Sequence, residues 1–155
     1  MEFDAPNILV DEEFSVRIPE ETEAYQLSRV IDVNRERLKL WLPWLDLSRS
    51  VQDSERYIKK CRMDWALHGH YSGLLYRGTE IAGAIGFHPK VHRSLAVGYW
   101  VADKFTARGL CTRACQSMID WAFQQDVLLH LVELRAATDN RPSRRVAEKL
   151  GLQFE

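Results

Sequence analysis

The sequence has no apolar run approaching the roughly 18 residues of a membrane span. Its first residues, MEFDAPNILVDEEF, carry acids where a secretory leader has a basic segment followed by a long apolar stretch. Neither an anchor nor a leader is expected, and a cytoplasmic location is. Cysteine is scarce: Cys61, Cys111 and Cys115 are an odd number without the paired spacing of a disulfide framework or a structural zinc site, so reduced thiols are expected. Excess charge of one sign is also missing. With Lys+Arg 21 and Asp+Glu 22, the net charge of -1 provides no global field to draw nucleic acid or an anionic membrane. Arg141, Arg144 and Arg145 form only a short cluster, which a solvated helix face explains. His88 and His92 stand four residues apart, but Pro89 between them excludes a regular helix that would present both to one metal ion. No metal site is predicted. Repeats and low-complexity linkers are absent, and the length and 46% hydrophobic content suit one domain spanning residues 1–155.

What is present alternates between two periodicities. Phe14-Ser15-Val16-Arg17-Ile18 alternates apolar and polar residues and meets Pro19, which predicts a half-buried strand. Pro19 precedes Glu20, Glu21 and Glu23, and Leu27, Val30, Ile31, Leu38 and Leu40 follow at mostly helical spacing, predicting a helix over about 20–40. Trp41-Leu42-Pro43-Trp44-Leu45 breaks that pattern as an aromatic turn. Ser50 or Asp53 can cap a second helix that stops near Gly69. Three strand-like segments follow, SGLLYRG, EIAGAIGFHP and SLAVGYWVAD, separated by turn-prone residues, and predict an antiparallel meander. A helix over 107–125, a strand over 130–137, a short helix over 141–150 closed by Gly151, and the start of a strand at Leu152 complete the order. The expected class is α+β.

The informative stretch is Gly98-Tyr99-Trp100-Val101-Ala102-Asp103-Lys104-Phe105-Thr106-Ala107-Arg108-Gly109-Leu110-Cys111-Thr112, a strand running through small residues into a helix. A helix N-terminus offers unpaired N–H groups and partial positive charge, Gly109 removes side-chain bulk, Arg108 adds a cation, and Thr112 offers a hydroxyl. That chemistry suits a phosphate. An ordinary strand-to-helix connection uses the same residue types, so the loop alone leaves both readings open. It lacks the lysine-serine end of a P-loop and the three-glycine fingerprint of a dinucleotide fold, and a meander precedes it; nucleotide hydrolysis and hydride transfer are disfavoured.

Thr106-Ala107-Arg108-Gly109-Leu110-Cys111 resembles the acetyl-CoA loop of the GNAT N-acetyltransferase superfamily, Gln/Arg-x-x-Gly-x-Gly/Ala, with Thr106 in place of Gln/Arg and Cys111 in place of Gly/Ala. Three further segments are similar to the RimJ/RimL-type ribosomal-protein branch: Asn34-Arg35 with Leu38 and Trp41-Leu42-Pro43-Trp44; Gly98-Tyr99-Trp100-Val101; and Thr138-Asp139-Asn140 with Ser143 and Glu148-Lys149-Leu150-Gly151-Leu152. The resemblance covers about residues 12 to 155.

It implies the GNAT fold, a mixed and mostly antiparallel sheet flanked by helices, and acetyl-CoA as cosubstrate. In that family the strand bearing Gly98–Val101 splays from the next, and backbone groups of Tyr99, Trp100, Val101 and Ala102 would pair with the pantetheine arm. Ala107, Arg108, Gly109, Leu110, Cys111 and Thr112 would hold the pyrophosphate. Asn140 and Ser143 would contact the pantetheine and the sulfur, Ser143 as proton donor to the leaving thiolate; the residues read equally well as an N-cap and a first-turn serine. Direct attack by the amine needs no acetyl-enzyme, so Cys111 and Cys115 are read as packing residues. Trp41, Trp44 and Tyr57 would wall the acceptor cleft, although aromatic packing competes for each.

The branch's proposed base is a glutamate a few residues beyond the Gly-Leu-x-Phe-Glu segment within which this chain ends. The domain is accordingly expected to be C-terminally incomplete, lacking the last two strands, and its open sheet edge predicts self-association as a homo-oligomer. The expected reaction is acetyl transfer to a primary amine, most plausibly a ribosomal-protein N-terminus. A small-molecule amine acceptor and a non-catalytic acyl-CoA-binding module are the alternatives.

Overall fold

A computed structural model describes residues 3–90, 93–126, 128–135 and 140–154. Among them six strands form one sheet in the order in which they occur in the chain: β1 (Ile8–Leu9), β2 (Phe14–Arg17), β3 (Ser72–Arg77), β4 (Glu80–Lys90), β5 (Ser94–Val101) and β6 (Leu131–Leu134). All neighbours are antiparallel except β5 and β6. Among the described residues four α-helices cover it: α1 (Ala24–Leu38), α2 (Val51–His68), α3 (Leu110–Gln125) and α4 (Arg141–Lys149). This is the expected α+β architecture, a mixed and mostly antiparallel sheet flanked by helices.

Strand alternation divides the apolar side chains between two cores. Leu74 and Tyr76 on β3, Ala84 on β4 and Trp100 on β5 join Leu27, Ile31 and Leu38 of α1 on one face. Leu75, Ile85, Phe87, Val97 and Val101 point the other way, against Leu110, Ala114, Cys115 and Met118 of α3 and Val146 of α4. Burying a residue such as Leu110 or Met118 contributes roughly 1.5–3 kcal/mol. At Gly83 a Cβ would stand 2.1 Å from the Trp100 carbonyl oxygen, so β4 and β5 approach as closely as they do because that position has no side chain.

The helix ends follow local chemistry. Ser50 caps α2 by accepting from the Asp53 N–H at 3.2 Å, and the Asp53 carboxylate accepts in return from the Ser50 N–H at 3.1 Å. Gly69, at φ 67, ends that helix. At the end of α4 the Leu152 N–H donates to Ala147 and the Gly151 N–H to Glu148, each at 3.0 Å, a Schellman closure made possible by Gly151 at φ 74.

Several boundaries differ from the sequence reading. The helix expected from about 20 begins with a 3-10 turn at Glu21–Glu23, and Pro43–Leu47 forms another. α3 starts at Leu110 rather than 107, because Ala107 and Gly109 both have positive φ, 62 and 70, which a right-handed helix cannot contain. β1 escaped notice. Leu152–Phe154 is not a strand, and within the strand expected over 130–137, residues 136 and 137 lie outside the described residues. No helix among the described residues is long and apolar enough to cross a membrane.

Candidate functional site

β5 and β6 pair only over Ser94–Val97 and Leu131–Leu134. Beyond that register Gly98–Val101 continues without a neighbour on its β6 side among the described residues, so the two strands leave a gap. Ladder parity tells which backbone groups face it. The Ala102 N–H donates to Ala82 at 2.7 Å on the β4 side, so in this antiparallel register Trp100 and Ala102 spend their backbone groups on β4, while those of Tyr99 and Val101 point into the gap. The Val101 carbonyl is already taken by the Arg37 guanidinium. Of the four residues expected to present backbone to a ligand, Tyr99 and the Val101 N–H are therefore the ones positioned to do so.

The chain then turns through Asp103–Phe105 into the candidate anion loop. Thr106 spends its hydroxyl on the Asp103 carbonyl at 2.7 Å. The Arg113 N–H donates to Gly109 at 3.1 Å, but the N–H groups of Ala107 through Thr112 have no acceptor among the described residues. Six consecutive free donors thus lie at the N-terminus of a 16-residue helix. Arg113, itself exposed, braces the loop, one guanidinium nitrogen donating to the Arg108 carbonyl at 2.6 Å and another to Asp11 at 3.1 Å. Asp11 is held below the ordinary aspartate value, because N–H bonds from Phe14 and Glu13 and the Arg113 charge outweigh its burial. Arg108 is exposed, its guanidinium 5.8 Å from the Phe105 ring centroid, with no acid partner among the described residues. The local charge is positive.

Arg37 and Asn34, one turn apart on α1, fasten this region to the opposite core. The Asn34 amide accepts from the Asp103 N–H at 2.7 Å and donates to Val30 at 2.7 Å. Arg37 also stands 3.3 Å from the Asp103 carboxylate. Arg35, the other half of the Asn34-Arg35 segment, ties down the turn after α1 by donating to the Leu45 and Ser48 carbonyls at 3.1 and 2.6 Å. Sequence reading assigned none of these braces; the i, i+3 placement of Asn34 and Arg37 on the buried side of a helix was the available signal for two of them.

Cys111 and Cys115 lie behind the loop. Burial pushes the Cys111 thiol up to about 11, against an opposing effect of the Arg37 charge, and pushes Cys115 up further. Neither is poised as a thiolate nucleophile. Ser143 sits in the first turn of α4, where its N–H donates to the Asn140 side chain at 3.4 Å. The N-cap reading of Asn140 is thus realised. Thr138 and Asp139 lie outside the described residues.

Trp41, Trp44 and Tyr57 are 38%, 41% and 38% exposed and occupy the α1–α2 connection and α2. No ring contact joins them among the described residues. Burial of the Tyr57 phenol oxygen, with the neighbouring Cys61 thiol, pushes its pKa up. His88 is exposed, His92 lies outside the described residues, and no cluster of three potential metal ligands occurs among those described. A cavity of about 330 Å³ lies at the far end of the sheet, lined by His68, His70, Lys90 and Trp121 among others, and does not touch the loop.

The family model described as an acetyltransferase (GNAT) domain matches residues 16–153. A Bacillus subtilis (strain 168) protein, YdaF, designated a ribosomal N-acetyltransferase, is 35% identical over 150 residues, covering 94% of this chain and 81% of its own length. Among solved structures, RimL, a ribosomal L7/L12 alpha-N-protein acetyltransferase in complex with coenzyme A, superposes with a TM-score of 0.86 at 18% identity, over 94% of this chain and 82% of that one. The microcin C7 self-immunity acetyltransferase MccE, in complex with acetyl-CoA and AMP, gives 0.84 at 21% identity, over 92% and 79%.

Proposed function

Since the chain belongs to the acetyltransferase (GNAT) family, we propose that it transfers the acetyl group of acetyl-CoA to a primary amine, the N-terminal α-amine of a ribosomal protein. The observation that carries this reading is the continuity of two empty sets of donors: the gap-facing backbone of Tyr99 and Val101 runs directly into the free N–H groups of Ala107–Thr112. A ligand with an amide-bearing arm and a pyrophosphate matches both.

In this reading the loop N–H groups and Arg108 hold the phosphates, with charge-assisted bonds stronger than neutral ones. The arm adds along β5 as a short strand would, and a gap-facing N–H of β5 meets the acetyl oxygen where negative charge develops. The amine attacks the thioester carbon, a C–N bond forms and the C–S bond breaks. Ser143 donates to the departing sulfur, and the proton lost by the amine balances the one taken up there. No enzyme nucleophile takes part, which agrees with thiols pushed away from ionisation. Trp41, Trp44 and Tyr57 offer an apolar wall for the acceptor, and the protein acts in the cytoplasm. The outer edge of β6, unpaired among the described residues, is the surface through which copies associate.

The designation of the 35% identical relative supports the ribosomal acceptor. A thiol-release assay with acetyl-CoA tests it, using peptides that copy ribosomal-protein N-termini, the same peptides blocked at the α-amine, and polyamines. Release with free peptides alone is the expected result. Release with polyamines alone moves the acceptor to small molecules, and tight CoA binding without any release makes the domain a binding module.

A further inference from the structure

Two carbonyls of the candidate anion loop point back to one residue. The Gly109 carbonyl accepts from the Arg113 N–H at 3.1 Å, the first bond of α3, and the Arg108 carbonyl accepts from the Arg113 guanidinium at 2.6 Å. In a planar trans peptide the C=O and N–H face opposite ways. The guanidinium bond therefore turns the Gly109 N–H away from Arg113 and leaves it among the free donors of Ala107–Thr112.

The loop's own chain does not enforce that orientation. Gly109 stands at φ 70, and glycine accepts positive and negative φ about equally, so the Arg108–Gly109 peptide can rotate unless its carbonyl is held. Rotated, it would replace a donor by a carbonyl oxygen, whose partial negative charge repels a phosphate.

The guanidinium is aimed in turn from a remote turn. One oxygen of the Asp11 carboxylate accepts from the Glu13 and Phe14 N–H groups, each at 2.8 Å, and closes the turn between β1 and β2. The other accepts from Arg113 Nε at 3.1 Å. Because the guanidinium is a rigid planar fork, holding Nε fixes the direction of the nitrogen that reaches the Arg108 carbonyl.

We propose that Arg113, aimed by Asp11, is a positioning residue that locks the Arg108–Gly109 peptide with its N–H toward the phosphates of bound acetyl-CoA. This rests on the acetyl-CoA reading above. The phosphates do not change during acetyl transfer, so the brace acts on affinity for the pyrophosphate end of the ligand and not on the chemical step.

Asp11→Asn separates this role from a plain charge effect. The asparagine oxygen can keep the two turn bonds, but its NH2 then faces the guanidinium, donor against donor. If Arg113 served only as a cation, removing the acid beside it would tighten phosphate binding; a broken brace weakens it.

The test titrates acetyl-CoA, ADP as the pyrophosphate end and pantetheine as the arm into the wild-type chain, Asp11→Asn, Arg113→Met and the double variant, and follows the Gly109 amide proton by NMR. Expected is a roughly tenfold loss of acetyl-CoA and ADP affinity in both single variants, the worth of one hydrogen bond to a charged group. The double variant loses no more, pantetheine affinity stays within about twofold, and the downfield shift of the Gly109 amide on ADP binding is confined to wild type. Tighter binding by Asp11→Asn, unchanged affinities, or an equal loss for ADP and pantetheine each overturns the proposal. Failure of the wild-type chain to bind acetyl-CoA overturns the cofactor reading and this inference with it; wild-type binding with unaltered variants overturns this inference alone.

Discussion

The Asp103 N–H donates to the side-chain oxygen of buried Asn34 at 2.7 Å, joining the later half of α1 to the 3-10 turn that leads from β5 into the candidate anion loop. The second half of the Asn34 amide is closed by Val30. Replacing Asn34 with Leu keeps much of the volume but leaves a part-buried N–H without an acceptor, which costs about 1–3 kcal/mol. Chemical denaturation is expected to show that loss, and acetyl-CoA affinity is expected to fall with it because the loop loses its tether. An unchanged midpoint contradicts the assigned role.

Gly109 and Ala107 make opposite predictions from the same backbone region. A Cβ at Gly109 would meet only the Arg113 guanidinium, at an ordinary 3.5 Å, so the penalty for Gly109→Ala is conformational, about 1–2 kcal/mol for a left-handed L-residue. Ala107 already bears that cost at φ 62. Ala107→Gly is therefore expected to be neutral or slightly stabilising in the same denaturation series, although glycine adds freedom to the unfolded chain.

Acid stability should depend on Glu23. Its carboxylate accepts from Arg17 at 3.0 and 2.9 Å, from the Glu20 N–H at 2.7 Å and from the Tyr76 hydroxyl at 2.8 Å. Burial alone raises its pKa, but these donors outweigh it and lower the value below the ordinary 4.5. A depressed folded pKa means that the stabilisation is complete above the unfolded value and is lost as pH falls through the folded one. Glu23→Gln is expected to be less stable than wild type at neutral pH and to show a flatter acid limb below the ordinary value. Parallel acid limbs contradict this.

Thiol chemistry separates direct transfer from an acetyl-enzyme. Cys61 and Cys111 are pushed up to about 11 by burial, so alkylation of the native chain near neutral pH is expected to be slow and to accelerate on unfolding. Cys111→Ala is expected to keep kcat within about threefold, well short of the loss from removing an essential catalytic group. Collapse of turnover in that variant would require a covalent step.

The sequence made much of this legible because several signals were local. The Ser50–Asp53 cap, the Gly69 and Gly151 stops and the alternation through β3, β4 and β5 each depend on residues within a few positions of one another. β1 was not legible: two residues, Ile8 and Leu9, are too short to show a period, and they form a strand only because β2 is there to pair with them. The loop motif pointed to a candidate anion site, but its braces were invisible, since Arg37 reaches Val101 and Arg113 reaches Asp11 across 64 and 102 positions. The early positive φ at Ala107 also went unread, because alanine there gives no hint of a left-handed residue. Parity along β5, which turns Tyr99 and Val101 outward and Trp100 and Ala102 inward, needs the register with β4 that only the fold supplies.

Calorimetric titration of acetyl-CoA into the wild-type chain and into Arg108→Glu tests the central claim most directly. Arg108 is exposed and has no acid partner among the described residues, so reversing its charge spares the fold while opposing a phosphate. The account predicts one-to-one binding by wild type and at least about tenfold weaker binding by the variant, a loss of roughly 1.4 kcal/mol. Equal affinity in both proteins, or no binding by a folded wild-type chain, would contradict it.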